Sequence, residues 1–293
     1  MNKRTPAEWV FTVCNTVLMI LLCVITLYPF YYCIVASVSD TAYLNLYRGI
    51  LLTPQHFTMA GYERAFSYPT LFTGFRNTLI ILALGLPINL VLTLCCGYAL
   101  AAKNMYWKKL MIGLTMFTMF FGGGMIPAYL NVKDLGLYNT FWSLVLPGAL
   151  SVYNAIIVKT AIENVPESLS ESAYIDGAND ILVLFRIILP LIMPTMAVML
   201  LYYGVGHWNS WFAASIYLKD NARAPLQLVL RAILIQNSDL FNVGSQTGDT
   251  VENSYTQTIK YGCIVISTVP VLLIYPFVQK YFTKGVMIGA VKG

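Results

Sequence analysis

The sequence predicts an all-α membrane protein, a single domain over residues 1–293 that crosses the bilayer six times. Composition is the first reason, because apolar residues make up 58% of the chain and charged residues 11%, against about 45–50% and about 25% in soluble globular proteins. The spacing of the charges is the second reason. Six stretches of at least 19 residues contain no Asp, Glu, Lys or Arg. A soluble fold has too little interior to hide that much apolar surface.

Each uncharged stretch is long enough to form a membrane helix. About 20 apolar residues cross the hydrocarbon core, and a backbone in lipid must satisfy its own hydrogen bonds, as a helix does. The stretches lack a polar face, which disfavours a soluble helical bundle. The predicted spans are approximately 10–37, 77–102, 110–131, 139–158, 187–205 and 260–280. Two loops are singled out below, an inner one at 163–185 and the long outer one at 206–258.

The distribution of Lys and Arg predicts that both termini lie in the cytoplasm. With the N-terminus inside, ten of the 18 basic residues fall in the inner segments 1–9, 102–109, 159–186 and 280–293. Those segments are shorter in total than the outer ones, so basic residues are denser inside, as the positive-inside rule requires. The first apolar run is too long for the core of a signal peptide, so it is predicted to be an uncleaved span.

Several kinds of chemistry have no signature in the sequence. There is no phosphate-binding G-x-x-x-x-G-K-[ST] loop, the two histidines fall in separate loops, and Lys and Arg never form a run of more than two. We therefore expect no cofactor or metal bound by this chain, no catalytic centre and no nucleic-acid partner. The interiors of the predicted spans also lack the ionisable group that ion-coupled transporters commonly keep. If the chain is part of a pump, another chain supplies the energy.

The inner loop at 163–185 collects five of the thirteen acidic residues, which are Glu163, Glu167, Glu171, Asp176 and Asp180. Asn164 and Glu167 fit a helix N-cap and its capping partner, with Pro166 in the first turn. Gly177 fits a left-handed cap that ends this short helix, and a second helix is expected to follow at once. The inner loop is thus predicted to be a helix, a glycine turn and a helix that enters the membrane.

The short helix carries small residues beside an acid, a pattern that allows another protein to approach closely. The alternative is an ordinary charged loop that contacts only solvent. The stretch resembles the E-A-A, three residues, G, nine residues, I-x-L-P signature of permease subunits in binding-protein-dependent ATP-binding-cassette importers. The matching residues are Glu171, Ala173, Gly177, Ile187, Leu189 and Pro190. Ser172 replaces the first alanine of the signature, which is a small-for-small difference. Six spans with a loop between the fourth and fifth also agree with that family.

The resemblance implies an importer-permease fold in a bacterial cytoplasmic membrane, with several partners. These would be a second, related permease chain, two cytoplasmic ATPases that bind ATP and Mg²⁺, and an extracytoplasmic solute-binding protein. The short helix would be a coupling helix in a cleft of the ATPase, with Glu171 in polar contact, Ala173 in close packing and Gly177 forming the turn. Ser172 and Asp176 belong to the same predicted coupling surface. The chain would be a transport subunit and not an enzyme.

Two further regions narrow the resemblance. The C-terminal tail, which includes Lys284, Lys292 and Gly293, resembles the tail of a maltose-type permease subunit that reaches between the ATPases; a frayed terminus is the alternative. The stretches 121–129 and 135–140 resemble carbohydrate permeases found with oligo- and polysaccharide importers. The expected cargo is therefore a carbohydrate, and the expected partner permease is a different chain. The glycine triplet within the first stretch predicts a bend or close helix packing.

A sugar site needs aromatic platforms with amide and hydroxyl partners, and two places in the sequence supply them. The candidate residues are Tyr129, Asn131, Tyr202, Tyr203, Trp208, Asn209 and Trp211. An interfacial aromatic belt would use the same residue types at the ends of spans. The outer loop at 206–258 is expected to lack regular structure. By the resemblance, this loop would reach into the binding protein; a disordered excursion is the alternative.

Three other functions stay open on the sequence alone. A permease for amino acids, peptides or ions is disfavoured by the lack of charge inside the spans and by the maltose-type tail. A secondary transporter or channel would move its solute without an ATPase, along a gradient. A membrane scaffold would tolerate substitution of Gly177 without loss of uptake.

Overall fold

The computed structural model describes residues 6–47, 49–103, 105–235, 260–273 and 276. Within these ranges the chain is helical and contains no strand; one isolated β-bridge joins Ser39 to Phe57. The helices are α1 (Pro6–Ser37), α2 (Thr41–Leu46), α3 (Ala60–Ser67), α4 (Pro69–Ala101), α5 (Lys108–Phe120), α6 (Met125–Asp134), α7 (Trp142–Val145), α8 (Val152–Glu163), α9 (Glu167–Ile175), α10 (Asp180–Leu191), α11 (Met193–Trp208), α12 (Phe212–Tyr217), α13 (Leu226–Ile235) and α14 (Lys260–Leu273).

Two of the described helices, α1 and α4, are long and apolar enough to cross a membrane unaided. Two bent pairs pass the same test only when each pair is taken as one broken span: α5 with α6, bent by 106°, and α10 with α11, bent by 86°. The helix α14 is apolar but shorter. Length and composition thus give two to four spans among the described residues.

Several predicted spans are interrupted where the chain carries glycine or proline. The glycine triplet separates α5 from α6, and Gly124 has a φ of +89°, a backbone conformation that favours glycine. The triplet therefore makes a bend. A Cβ added at any of its glycines would meet no atom closer than 4.0 Å, so the triplet serves no close packing within the described part of this chain. The predicted fourth span is divided into α7 and α8 by the non-helical segment 146–151, which contains Pro147.

The chain forms two compact units, of which the first contains residues 1–69 and 233–269. Its core joins the end of α1 to α2 and to the loop after α2, through Val35, Ala36, Leu44 and Leu51. The hydroxyl of Tyr31 donates a hydrogen bond to the carbonyl of Leu52 at 2.5 Å. Most of α1 is exposed along its apolar length. Such an uncovered apolar helix is suited to lipid or to another membrane helix.

The second unit, residues 70–232 and 270–293, is organised around α4. Near its N-terminal end, Asn77 donates hydrogen bonds to the carbonyls of Ala222 and Ala224, at 2.8 and 3.0 Å. Towards its C-terminal end, Leu94 lies in a buried cluster with residues of α8, α10 and α11. The helix thus contacts a different part of the unit at each of its ends.

Candidate functional site

The short helix α9 begins at Glu167, directly after Pro166. An acid in the first turn is favourable at the positive end of the helix dipole. The prediction that Asn164 caps this helix is wrong. Asn164 is the C-cap of the preceding helix α8, and its side-chain amide donates a hydrogen bond to the carbonyl of Thr160. The helix α8 extends further than the sequence suggested, so its end occupies the position assigned to the cap.

The helix α9 ends as predicted, in a left-handed turn at Gly177, whose φ is +84°. The amide of Ala178 donates to the carbonyl of Ala173 at 2.9 Å, and the amide of Gly177 donates to the carbonyl of Tyr174 at 3.0 Å. This pair of hydrogen bonds is a Schellman motif, which satisfies the carbonyls left over at a helix end. Asp176 is the C-cap residue. A new helix, α10, follows at once, with the side chain of Asn179 accepting a hydrogen bond from the amide of Leu182.

The exposed side of α9 carries both polar and apolar groups. Glu171, Ser172 and Asp176 are exposed, as a docking surface requires. Ala173 is half-buried and packs against the core of its own unit. The most exposed apolar side chain on this surface is Ile175, at 86%, and it was not among the residues predicted for docking. An uncovered isoleucine at the end of a short helix was detectable from the helical spacing.

Three polar contacts fix α9 to the rest of the second unit. The hydroxyl of Tyr174 donates to Asp180 at 2.7 Å, and it lies 3.1 Å from the hydroxyl of Tyr98 on α4. Because the single proton of Tyr174 goes to Asp180, Tyr98 is the donor in the second contact. Lys103, just beyond α4, forms an ion pair with Glu167 at the start of α9.

A second ion-pair group lies beside the first. Glu163 at the end of α8 accepts a hydrogen bond from Lys159 at 2.7 Å and lies 3.5 Å from Lys108 at the start of α5. The hydrogen bond from Lys159 is the main reason why the pKa of Glu163 is lowered. The ends of α4, α5, α8 and α9 are thus linked by charged or hydroxyl groups at one end of the second unit.

The residues predicted to hold sugar differ in exposure. Tyr202 and Asn209 are exposed and Tyr129 and Trp211 are half-buried, while Asn131 is exposed on α6. Tyr203 and Trp208 are buried, with 7% and 6% of their surface exposed. Tyr129 stacks on Tyr217, and Trp208 makes an edge contact with Phe75.

Tyr203 connects α11 to α4 and to the non-helical segment 146–151 that follows α7. Its hydroxyl accepts a hydrogen bond from the amide of Ser151 at 2.9 Å and lies 2.6 Å from the hydroxyl of Thr93.

Trp211 contacts Arg231, a residue that was not among the predicted site residues. The guanidinium of Arg231, on α13, lies 3.6 Å from the centre of the Trp211 ring. This contact and those of Tyr203 join residues far apart in the chain, so spacing could not reveal them.

His207 and Asn89 form a buried polar pair that the sequence did not predict. Nε2 of His207 lies 2.8 Å from Oδ1 of Asn89, an acceptor, so the imidazole donates. The amide nitrogen of Asn89 donates to the carbonyls of Gly148 and Ala149, at 3.3 and 2.9 Å. These carbonyls belong to the non-helical segment between α7 and α8. Asn89 therefore replaces the hydrogen bonds that a continuous helix would have supplied.

The outer loop is more regular than expected. Residues 206–208 continue α11, and α12, a 3₁₀ turn (Asn221–Arg223) and α13 follow before residue 236. The remainder of that loop, 236–258, lies outside the described residues, as do Lys284, Lys292 and Gly293 of the tail. Among the described residues, no group of three or more His, Cys, Asp or Glu is arranged to hold a metal ion.

The apolar helices and the short exposed helix α9 together define a class, a helical protein whose longest helices can cross a membrane. The model of the family described as "Binding-protein-dependent transport system inner membrane component" matches residues 58–288. Protein LplC of Bacillus subtilis (strain 168) is 42% identical over 292 residues, 99% of this chain and 97% of that protein.

Two further similarities concern carbohydrate importers. The polygalacturonan/rhamnogalacturonan transport system permease protein YtcP of Bacillus subtilis (strain 168) is 38% identical, over 93% of this chain and 94% of that protein. A crystal structure of a bacterial ABC transporter involved in the import of the acidic polysaccharide alginate contains a chain with a TM-score of 0.87 and 27% identity. The match covers 96% of this chain and 100% of that one.

The chain belongs to the family of binding-protein-dependent transport system inner membrane components. It is a permease subunit of an ATP-binding-cassette importer for a sugar or an oligosaccharide, and a multi-pass protein of the cytoplasmic membrane. The family predicted from the loop signature is confirmed.

Proposed function

We propose that this chain forms half of a translocation pathway, with a second, different permease chain as the other half. Two cytoplasmic ATPases that bind ATP and Mg²⁺ drive transport, and an extracytoplasmic binding protein delivers the cargo. Both termini of this chain then lie in the cytoplasm. One of the ATPases docks on α9, so hydrolysis takes place on the ATPase chains and transport takes place through the permease chains.

The single observation that carries this proposal is the construction of α9. The helix has a defined start after Pro166 and a Schellman end at Gly177, and it exposes Glu171, Ser172 and Ile175. Two contacts attach it to the end of α4 and one to the start of α10. A rigid helix held this way transmits a displacement instead of bending. A solvated loop would need none of these attachments.

The proposed cargo is a carbohydrate chain, and an acidic one is the first candidate. Two similar proteins are named for such material: a polygalacturonan/rhamnogalacturonan permease and a transporter of the acidic polysaccharide alginate. Tyr129, Asn131, Tyr202, Asn209 and Trp211 retain some exposed surface. They supply the aromatic faces and the amide groups that sugar recognition needs.

The test compares Gly177→Asp with Gly136→Asp in the importer assembled from this chain, its partner permease, its ATPase and its binding protein. Both glycines have a positive φ, +84° and +69°, and open space at Cβ. Either substitution therefore costs about 1–2 kcal/mol of local strain, but only Gly177 ends the helix α9. Co-purification of the ATPase and the stimulation of its activity by loaded binding protein are measured.

We expect Gly177→Asp to lose co-purification or stimulation at least tenfold, with Gly136→Asp close to wild type. Equal behaviour of the two variants would show that α9 is not the docking helix. A wild-type chain that never retains an ATPase would refute the importer assembly as a whole.

A further inference from the structure

Arg231 occupies an unusual place on α13. The buried residues of this helix, Leu226, Val229 and Leu230, are apolar, and Arg231 is its one charged residue. The side chain is exposed, and none of the ion pairs in the described part of the chain includes it. Its guanidinium instead lies over the ring of Trp211, at 3.6 Å.

This stacking leaves the guanidinium ready to bind an anion. An arginine stacked on an aromatic ring uses the face of its planar group, while its N–H donors point outward in that plane. Those donors match the two oxygens of a carboxylate, and a bidentate pair is among the strongest polar contacts in proteins. Contact with the tryptophan ring also limits the positions open to the guanidinium, so less side-chain freedom remains to be lost when an anion binds.

The pair lies at the opposite end of α4 from the coupling helix. The amide of Leu226, at the start of α13, donates to the hydroxyl of Thr78, one residue after Asn77. Tyr98, which contacts α9, is 21 residues beyond Asn77, or about 32 Å along a helix. That distance is close to the thickness of the hydrocarbon core, which is about 30 Å. If α9 meets the ATPase, α13 lies on the side where cargo arrives.

We infer that Arg231 and Trp211 form a carboxylate-binding subsite, and that the cargo of this importer is a carbohydrate chain bearing carboxylate groups. Arg231 binds the carboxylate, and Trp211 holds the guanidinium over its ring. The inference rests on the proposed function for the side of the membrane. It adds the residue that selects acidic over neutral sugar. The lack of charge inside the predicted spans is compatible with it, because Arg231 is an exposed residue at the end of the unit.

The test measures sugar binding to the assembled importer without its binding protein, in nanodiscs of phosphatidylcholine. The probes are tetragalacturonate and the same oligomer with its carboxyl groups reduced to alcohols, and saturation-transfer difference NMR detects weak binding of either. The variants are Arg231→Gln, which removes the charge, and Arg231→Lys, which keeps the charge but lacks the planar fork. Lys219→Gln is the matched control, because it removes an exposed cation near the same end of the unit.

We expect wild type to prefer tetragalacturonate and Arg231→Gln to bind it about tenfold more weakly, with the reduced oligomer unaffected. Arg231→Lys should fall between the two, and Lys219→Gln should match wild type. Equal losses for both probes would assign Arg231 a structural role and overturn the inference, as would no change. Competition by added phosphatidylglycerol in wild type but not in Arg231→Gln would show that lipid headgroups occupy the site, and would also overturn it.

Stimulation of the ATPase by loaded binding protein is recorded on the same samples. Normal stimulation without a preference for the acidic probe refutes only the carboxylate subsite. An importer that does not assemble refutes the proposed function and this inference together.

Discussion

The hydroxyls of Tyr98 and Tyr174 lie 3.1 Å apart, and this contact joins the last turn of α4 to α9. Tyr174 also donates to Asp180 at the start of α10. One side chain on α9 therefore links this helix to two others at once. A force applied to α9 reaches both helices through this hydroxyl.

We predict that Tyr174→Phe lowers the number of sugars transported per ATP hydrolysed about fivefold. The variant loses two hydrogen bonds while the ring remains, and about 1 kcal/mol corresponds to a factor of about five. Tyr98→Phe loses one of the two and should have a smaller effect. Uptake and ATPase rates are measured together in proteoliposomes. Tyr153→Phe, an exposed tyrosine on α8, is the control. Full coupling in Tyr174→Phe would contradict this role.

The sequence predicted those parts of the site that depend on local spacing. Gly177 ends α9 as expected, because a left-handed cap prefers glycine and this preference can be recognised at a single position of the sequence. The bend at the glycine triplet could be predicted for the same reason, because it depends on a few neighbouring residues. The cap at Asn164 was misassigned, since the length of α8 depends on the ion pair of Lys159 with Glu163 and on packing, which a cap pattern does not reveal.

The contacts that position the site join residues far apart in the chain. Tyr98 meets Tyr174 across 76 residues, and Asn89 meets His207 across 118. Neither pair follows a period of 3.6, so only the tertiary fold brings them together. The same holds for Arg231 and Trp211. An exposed arginine and a half-buried tryptophan are each common, and only the contact between them points to a binding site.

We predict that Gly85→Ala destabilises the chain by about 2–3 kcal/mol. A Cβ at this position would come within 2.6 Å of Nε2 of His207, so the imidazole must move and its hydrogen bond to Asn89 is lost. Thermal unfolding in detergent micelles measures the effect. Gly204→Ala, on α11 with open space at Cβ, is the control and should be neutral or slightly stabilising. Similar shifts in both variants would mean that helix propensity, and not the clash, governs the result.

We predict that Tyr203→Phe and Tyr202→Ala separate structure from transport. Removal of the buried Tyr203 hydroxyl leaves the amide of Ser151 without its acceptor, which costs about 1–3 kcal/mol. Sugar selectivity should not change, because Tyr203 is 7% exposed. Tyr202 is 43% exposed, so its truncation should leave the unfolding temperature close to wild type. Unfolding temperature and uptake of two sugars are compared. Altered selectivity in Tyr203→Phe would place this hydroxyl in the pathway.

We predict that Glu163→Gln destabilises the chain at pH 7 by less than about 1 kcal/mol, and that the difference disappears in acid. The hydrogen bond from Lys159 lowers the pKa of Glu163 in the folded chain, so the ion pair stabilises the fold above the unfolded pKa of about 4.3. That stability is lost as the pH falls through the folded pKa, when the carboxylate is protonated. The contribution is small because Glu163 is partly exposed. Unfolding temperatures in detergent from pH 7 to pH 3 measure it, with Asp134→Asn, an exposed acid at the end of α6, as control. A wild-type advantage that persists at pH 3 would show that Glu163 acts through packing and not through its charge.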